Sequence, residues 1–386
     1  MKLKVLELFG GIGACSKALE RLNIDFEIVD YVEIDKYAVK SFNAIHNTNF
    51  EPQDICEWNK DIEVDLIMHG SPCQDFSLAG KQAGGNKDSG TRSSLMYETI
   101  RIVEKLKPKY VIWENVKNIL SKKHIHNFNS YLELLESLGY TNYYKVLNSK
   151  DYGIPQNRER VFTVSIRRDI NKEFVFPEPE ELKLRLKDML EDEVDEKYYL
   201  SDKNIIYICG NAINKDLKDV YNREKALFNK DIAYTINTKN DRRLGDTNYI
   251  LDGFGEITCK EFLRIRNNTK TGYIEGYSGD SINLSFPNSK TRRGRVGKQV
   301  SQTIQTSDNM GVIVNDLRIR KLTPKEYWRL MGFDDADYEK ASKVNSNTQL
   351  YKQAGNTIVV DILVKIFTNL FEVIEHERGT TEDSKS

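Results

Sequence analysis

The chain has 386 residues, which at roughly 150 residues per domain predicts two to three domains. Its hydrophobic fraction of 39% allows a sizeable core and excludes wholesale disorder, while a formal charge of -1 means that a polyanionic partner would have to meet local clusters of positive charge. Five scattered cysteines without a C-x-x-C pair argue against a disulfide framework and a structural zinc site, and no apolar run approaches the ~20 residues of a membrane span. We therefore expect a soluble cytoplasmic protein that binds no metal.

The first part of the chain alternates strand and helix patterns. Strands are predicted at 4–9, 26–32, 65–68, 110–113 and 161–166, with helices at 14–22 and 95–106. Strands separated by helices predict an α/β fold with a parallel, doubly wound sheet. Ligands of such sheets bind beyond the carboxyl ends of the strands, so the residues that follow each strand are the candidate functional residues.

The pattern changes beyond residue 168. Helical periodicity disappears, and glycine, asparagine, threonine and short β-like runs predict a second, smaller domain of strands and loops at 175–317. Helical patterns return at Thr323-Pro324-x-Glu326, which has the form of a capping box. We therefore predict a first domain at 1–174, to which 318–376 return, and a frayed polar tail at 377–386.

A glycine-rich turn follows the first strand at Phe9-Gly10-Gly11-Ile12-Gly13. Such a turn allows the backbone to approach a ligand closely, and Glu33 lies at the end of the second strand, where an acid can accept both ribose hydroxyls. Ordinary tight-turn geometry would also explain the glycines. The combination favours a nucleoside cofactor, with S-adenosylmethionine preferred over nicotinamide because Ser16 replaces the third glycine of G-x-G-x-x-G.

A cysteine follows the third predicted strand, in Gly70-Ser71-Pro72-Cys73-Gln74. Most single cysteines are buried and structural, but this one lies in a polar loop flanked by glycine and serine. A reactive Cys73 thiolate would need electropositive surroundings. Cys73 is therefore a candidate nucleophile at the carboxyl edge of the sheet.

Charged residues accompany the last two predicted strands. Glu114-Asn115-Val116 ends the fourth strand, and Gln156-Asn157-Arg158-Glu159-Arg160 precedes the fifth. Alone, Glu114 would be an exposed strand-end carboxylate and the arginines would form surface ion pairs. Together with Cys73, Glu114 would complete a pair of nucleophile and proton donor, and one of the arginines could hold a carbonyl or phosphate group.

In this order, the blocks resemble the DNA (cytosine-5) methyltransferases of bacteria and phages. The resemblance covers roughly residues 3–170 and 318–370, because two later blocks also match the family: Arg320-x-Leu322-Thr323-Pro324-x-Glu326 with Arg329-Leu330-Met331-Gly332-Phe333, and Gln353-x-Gly355-Asn356-Thr357. In the last block, threonine stands where serine is commoner. The resemblance implies a methyltransferase sheet that binds S-adenosylmethionine, with a target recognition domain at 175–317.

The resemblance also implies the roles of individual residues. Cys73 would add to cytosine C6, Glu114 would assist at N3, and Arg160 would hold O2 with Arg158 nearby. The cytosine must be flipped out of the duplex, and the segment 75–92 would be a mobile cover for it, favoured over an ordinary flexible surface loop mainly because of the resemblance. The implied cofactor contacts are Phe9, Gly11, Gly13, Glu33, Ile34, Asp54, Ile55, Pro72, Asn356 and Thr357.

A local basic cluster marks the predicted recognition domain. Eight basic residues stand against two acidic ones between Lys290 and Lys321, which favours contact with DNA phosphates and base edges over a merely solvated run. The predicted DNA contacts are Gln74, Ser77, Arg92, Arg292, Arg293, Arg295 and Lys298.

The resemblance, together with the basic cluster, implies an enzyme that methylates cytosine C5 in specific sequences of double-stranded DNA, and we expect it to act as a monomer. Its role would be restriction-modification or phage self-protection, and a cognate restriction endonuclease would share its target without a stable complex. A tRNA cytosine-5 methyltransferase with the same core is the alternative. A catalytically silent DNA-binding protein is disfavoured by the intact Cys73 and Glu114, and a nicotinamide oxidoreductase by the lack of a hydride-handling site.

Overall fold

The computed structural model describes residues 2–72, 95–209, 262–287, 289, 291–315 and 318–373. The chain forms two compact units. The sheet unit comprises Met1–Asp192, Val300–Asp308 and Thr323–Ser386, and the small unit comprises Glu193–Gln299 and Asn309–Leu322. The predicted cover at 75–92 and the predicted tail at 377–386 lie outside the described residues.

The described elements are as follows. The strands are β1 (Leu3–Leu8), β2 (Phe26–Val32), β3 (Leu66–His69), β4 (Tyr110–Val116), β5 (Tyr140–Asn148), β6 (Gln156–Asn157), β7 (Glu159–Arg167), β8 (Phe262–Arg266), β9 (Tyr273–Tyr277), β10 (Ser281–Asn283), β11 (Val296–Gly297), β12 (Ser301–Gln302), β13 (Met310–Ile313) and β14 (Ile319–Lys321). The helices are α1 (Ala14–Arg21), α2 (Lys36–His46), α3 (Met96–Leu106), α4 (Ile125–Ser137), α5 (Asp202–Cys209), α6 (Pro324–Arg329), α7 (Asp335–Ser342), α8 (Asn347–Asn356) and α9 (Val360–Phe371).

The main sheet of the sheet unit has the strand order β2-β1-β3-β4-β7-β5. Strands β2, β1, β3 and β4 are parallel, as predicted, but β7 runs antiparallel to both β4 and β5. The prediction of a wholly parallel sheet is therefore wrong at β7. Only residues 149–158 connect β5 to β7, which is too short for the crossover that a parallel pair needs.

Both faces of the main sheet are covered. All four residues of β3 are buried, which is typical of a parallel strand between two helical layers. On one face, Leu6 and Ile67 pack in a core that includes Ile100 of α3. On the other face, Glu7 of β1 bonds to α1, and α1 packs against α9.

The strand order reverses between β1 and β3, since β2 lies on one side of β1 and β3 on the other. In an open α/β sheet, a crevice opens at such a reversal, beyond the carboxyl ends of the two strands. The predicted cofactor turn after β1 and the segment leading to Cys73 after β3 therefore end at the same crevice.

The last part of the chain returns to the sheet unit through a capped helix. Thr323 accepts a hydrogen bond from the Glu326 backbone at 3.2 Å, and Glu326 accepts one from the Thr323 backbone at 2.8 Å, which confirms the predicted capping box. In α8, Gln353 bonds to Ser41 and to the carbonyl of Tyr37. The last motif of the sequence, which begins at Gln353, therefore anchors α8 to α2.

One stretch, Asn347–Phe371, is long and apolar enough to cross a membrane by length and composition alone. It comprises α8 and α9, of 10 and 12 residues, each of which is shorter than the ~20 residues that a span requires. Leu363, Ile366 and Phe367 are fully buried in the fold. The apolar character of this stretch is therefore used in the protein core.

The described residues of the small unit form mostly short strands and loops, in agreement with the predicted second domain. Its four-stranded sheet has the order β11-β10-β13-β14, and β8 and β9 form a separate antiparallel pair. Ile265, Ile282 and Ile313 pack in its core.

The borders of the small unit differ from the predicted 175–317. Residues 175–192 belong to the sheet unit, because Arg329 of α6 donates hydrogen bonds to the carbonyls of Met189 and Leu190. Residues 318–322 belong to the small unit, because β14 pairs with β13.

Gly355 makes a close backbone contact that predicts the effect of a substitution. A Cβ atom at this position would lie 2.5 Å from the carbonyl carbon and oxygen of Gln305. Helix propensity alone would make Gly355→Ala stabilising by about 1 kcal/mol. Because backbone atoms cannot yield as a flexible side chain can, we expect the variant instead to lose about 1–3 kcal/mol of unfolding free energy in chemical denaturation.

Gly70→Ala is the matched control, because its added Cβ would meet no atom nearer than 3.6 Å. It is expected to be at least as stable as the wild type. Equal stability of the two variants would contradict the close approach at Gly355.

Candidate active site

The turn after β1 carries the predicted cofactor contacts Phe9, Gly11 and Gly13. All three residues have positive φ angles, of 53°, 56° and 83°. At Gly13 a Cβ would lie 2.3 Å from His46 Nε2, whereas at Gly11 it would meet nothing within 4 Å. Gly11 thus leaves open space for a ligand, and Gly13 allows the turn to pack on α2.

Glu33, at the end of β2, faces this turn. Its carboxylate accepts hydrogen bonds from the backbone of Gly11 at 3.2 Å and from that of Asp35 at 2.8 Å. Burial raises the pKa of the Glu33 carboxyl, and these two backbone bonds oppose the rise. Next to it, the side chain of Ile34 is 69% exposed, although it is large and apolar. An acceptor beside an exposed apolar side chain suits a ribose and the ring attached to it.

A backbone hydrogen bond brings the segment that contains Asp54 and Ile55 close to Glu33. The backbone of Gln53 donates a 2.9 Å hydrogen bond to the Glu33 carbonyl. Asp54 accepts a bond from the backbone of Cys56 at 2.9 Å, and Ile55 is buried. The two predicted adenine contacts are therefore adjacent to the predicted ribose contact.

The segment after β3 is anchored to β4. Trp113 Nε1 donates a 3.0 Å hydrogen bond to Ser71 Oγ, and Asn115 Nδ2 donates to the Ser71 carbonyl at 3.5 Å. These bonds fix the chain immediately before Pro72. Cys73, Gln74, Ser77 and Arg92 lie outside the described residues, so their predicted roles stay predictions.

Glu114 of β4 and Arg160 of β7 form an ion pair. In the antiparallel register Glu114 lies opposite Phe162, so Arg160 is its diagonal neighbour on the same face. Glu114 Oε1 lies 3.0 Å from Arg160 Nε, and both side chains are largely buried. Burial raises the pKa of the Glu114 carboxyl, while the positive charges of Arg160 and Arg158 oppose the rise.

Arg158 is almost fully buried and bonds to backbone carbonyls. Its Nη2 donates to the carbonyls of Gly355 at 3.2 Å and Thr357 at 2.9 Å, and its Nη1 donates to that of Ile304 at 3.5 Å. These bonds hold the predicted cofactor contacts Asn356 and Thr357 near the ion pair of Glu114 and Arg160. They favour a positioning role for Arg158 over a direct substrate contact.

The predicted DNA contacts of the small unit have different surroundings. Arg293 is exposed and Arg292 is half-buried. Arg295, in contrast, is fully buried and donates hydrogen bonds to backbone carbonyls, so its placement argues against the predicted groove contact. Lys298 is 53% exposed at its side chain but pairs with Asp280 at 2.9 Å.

Three residues that support the site were not singled out from the sequence as functional. Ser71 and Trp113 anchor the segment before Cys73, and buried Glu7 accepts a 3.1 Å bond from the Ser16 backbone in the first turn of α1. Glu7 carries a recognisable signal, because it is a carboxylate between leucines in a buried strand. Ser71 carries no comparable signal, because its partner lies 42 residues away in the sequence.

The comparisons with known proteins agree with this arrangement. Residues 3–372 match the family described as C-5 cytosine-specific DNA methylase. The chain belongs to this family of DNA cytosine C5-methyltransferases, and the nicotinamide and non-enzymatic alternatives are thereby set aside.

Similar proteins come from bacteria and phages. The chain is 34% identical to the type II methyltransferase M2.ScrFI of Lactococcus lactis subsp. cremoris, over 96% of this chain and 99% of that protein. It is 31% identical to the orphan methyltransferase M.Rho11sI of Bacillus phage rho11s, over 98% and 99% of the two chains.

Solved structures share the fold. A putative DNA modification methyltransferase encoded within an Escherichia coli prophage superposes with a TM-score of 0.59 at 19% identity, covering 96% of this chain and 99% of that one. Spodoptera frugiperda DNMT2 superposes with a TM-score of 0.58 at 20% identity, covering 96% and 100%.

Proposed function

We propose that the chain methylates C5 of a flipped cytosine in specific sequences of double-stranded DNA, using Cys73 as nucleophile and the Glu114–Arg160 pair to hold the base. The observation that supports this most is the buried ion pair of Glu114 and Arg160 at 3.0 Å. Gly70, which precedes the Cys73 segment, is close to the same carboxylate, since a Cβ there would lie 3.8 Å from Glu114 Oε2.

The proposed chemistry divides between the three side chains. The Cys73 thiolate adds to C6 of cytosine, and the ring electrons move toward N3, where Glu114 supplies a proton or hydrogen bond. Arg160 holds the O2 atom. C5 thereby becomes nucleophilic enough to accept a methyl group, after which the C5 proton leaves and Cys73 is eliminated.

S-adenosylmethionine would supply the methyl group as an electrophilic methylsulfonium. The described residues fit this cofactor: open space at Gly11, the Glu33 acceptor, and the exposed side chain of Ile34. In this proposal Phe9, Gly11 and Gly13 receive the methionine end, and Glu33 and Ile34 the ribose and adenine. Asp54, Ile55, Pro72, Asn356 and Thr357 complete the proposed set.

Glu33→Gln is expected to weaken S-adenosylmethionine binding about 10- to 100-fold, because a hydrogen bond to a charged group is worth about 1.5–3 kcal/mol. Since the pKa of Glu33 is raised, the wild type should bind the cofactor more weakly as the pH falls through that pKa, and the glutamine variant should lack this dependence. Isothermal titration calorimetry across a pH series measures both effects.

Glu27→Gln serves as the control, because Glu27 is an exposed residue of the same strand. The proposed ribose contact is refuted if Glu33→Gln binds the cofactor as tightly as Glu27→Gln does.

The similar proteins suggest the biological role. They include type II methyltransferases and orphan phage methyltransferases from bacteria and bacteriophages. We therefore propose a cytoplasmic, monomeric enzyme that acts in restriction-modification or in phage self-protection. A cognate endonuclease would recognise the same target without forming a stable complex with it.

An assay with tritiated S-adenosylmethionine distinguishes DNA from tRNA as the substrate. We expect label in unmodified duplex DNA, followed by bisulfite sequencing that reports the modified cytosine and its flanking sequence. Label in tRNA alone would refute the DNA substrate and support the alternative tRNA cytosine-5 methyltransferase.

A further inference from the structure

Phe286, in the loop after β10 of the small unit, has an unusual combination of properties. Its side chain is 74% exposed, although it is aromatic, and its φ angle of 49° lies in the left-handed region, which a bulky residue rarely adopts. An exposed aromatic residue in a strained backbone conformation requires surrounding structure that holds it there.

Arg295 supplies that structure. Its side chain is fully buried, and its Nη2 donates hydrogen bonds to the carbonyl of Phe286 at 2.7 Å and of Pro287 at 3.4 Å. Its Nη1 donates to the carbonyls of Asn283 and Ser285, both at 3.3 Å. One guanidinium group therefore bonds to the carbonyl at the end of β10 and to three carbonyls of the loop, and the loop presents Phe286 to solvent.

The surroundings of this loop are strongly positive. The Arg292 guanidinium lies over the Phe286 ring at 5.8 Å. Burial lowers the pKa of Arg295, and the nearby charges of Arg292 and Arg266 lower it further. Among the residues that the structure describes, Arg266, Arg292 and Arg293 form no ion pair with a carboxylate, and Arg292 Nε is buried without a hydrogen-bond partner.

Clustered guanidinium groups without a carboxylate repel one another, and an anion placed among them removes that repulsion. DNA supplies phosphates for such groups, and proteins that deform DNA insert exposed apolar side chains between its base steps. A duplex therefore satisfies both the arginines and the exposed aromatic ring.

We propose that Phe286 is a wedge that packs against the bases of the target duplex, while Arg266, Arg292 and Arg293 bind the flanking phosphates and Arg295 positions the wedge. This inference rests on the proposed function and assigns the small unit a contact that is apolar as well as electrostatic. Arg295 is then a positioning residue that does not itself contact DNA.

The test uses the full-length protein and a duplex that carries the target identified by bisulfite sequencing. Phe286→Ala is expected to raise the dissociation constant for the duplex about tenfold or more, as when a stacking aromatic is removed. It should also lower kcat/KM, but it should not change the slope of log affinity against log salt concentration. Arg292→Ala and Arg293→Ala are each expected to reduce the magnitude of that slope by about 1. Each should weaken binding to cognate and to unrelated duplexes by a similar factor. Fluorescence anisotropy across a salt series measures the dissociation constants and their salt slopes, and the tritium-transfer assay measures kcat/KM.

Val175→Ala is the control, since Val175 is 71% exposed and belongs to the sheet unit. It should bind and methylate as the wild type does. If the wild type is active and Phe286→Ala remains within twofold of it in both measurements, the wedge is refuted while the proposed function stands. A wild type that labels no DNA overturns the proposed function and this inference with it.

Discussion

Replacing Cys73 by serine is expected to abolish methylation of duplex DNA, with a loss of at least about 10⁴-fold, on the scale seen when an enzyme loses its covalent nucleophile. A serine hydroxyl is far less nucleophilic than a thiolate, and the ring cannot be activated at C5 unless a group adds at C6. The measurement is transfer of tritium from S-adenosylmethionine to DNA.

The same variant should also lose a covalent adduct. In DNA that carries 5-fluorocytosine at the target, the fluorine cannot leave C5 as a proton does, so the elimination of Cys73 is blocked. The wild type is then expected to give a denaturant-resistant complex on a gel, and Cys73→Ser is expected to give none.

Cys56→Ser is the matched control. Cys56 is an exposed free cysteine, and serine keeps the backbone N–H that bonds to Asp54. This variant should methylate DNA and form the adduct as the wild type does. An adduct that survives in Cys73→Ser would show that another residue attacks the ring.

Local patterns were sufficient to predict several elements of the sheet unit. The strand β2 lies at the predicted 26–32, and the helix that follows Thr323 begins with the predicted capping box. These features depend on residues within a few positions of one another, where hydrophobic periodicity and capping rules apply.

Features that depend on long-range packing were not predicted. The reversed direction of β7 follows from how β5 connects to it. Arg295 is buried where four backbone carbonyls, from the end of β10 and the loop after it, accept its hydrogen bonds. The basic run predicts a DNA contact for Arg295, because the sequence shows its charge but not its burial. The borders of the small unit differ for the same reason, since β14 belongs with β13 only through strand pairing.

The candidate site contains both kinds of feature, those that local motifs predict and those that depend on long-range packing. Glu114 and Arg160 were each predicted from their motifs, but their direct ion pair depends on the antiparallel register of β4 and β7. The motif predicts that Arg158 lies near the substrate, whereas the structure places its guanidinium against backbone carbonyls, which favours a positioning role. Motifs thus predicted which residues belong to the site, and the fold was needed to show what each described residue contacts.

Glu114→Gln is expected to lower kcat about 10²- to 10⁴-fold, which is the usual contribution of a general acid, while DNA affinity stays close to that of the wild type. Glutamine keeps the size of the side chain and can donate a hydrogen bond to N3, but it cannot supply a proton. Single-turnover methylation and fluorescence anisotropy separate the chemical step from binding.

The pH profile tests the proton itself. Burial raises the pKa of Glu114 against the opposing charges of Arg160 and Arg158, so its acid form persists to higher pH than that of a free glutamate. Activity that needs this proton falls as the pH rises through the raised pKa, and Glu114→Gln should lack that alkaline limb. Glu159→Gln, which removes only an exposed carboxylate paired with Lys117, should retain it. If Glu114→Gln keeps both the rate and the limb, the proton comes from another group, and the buried pair serves only to orient the base.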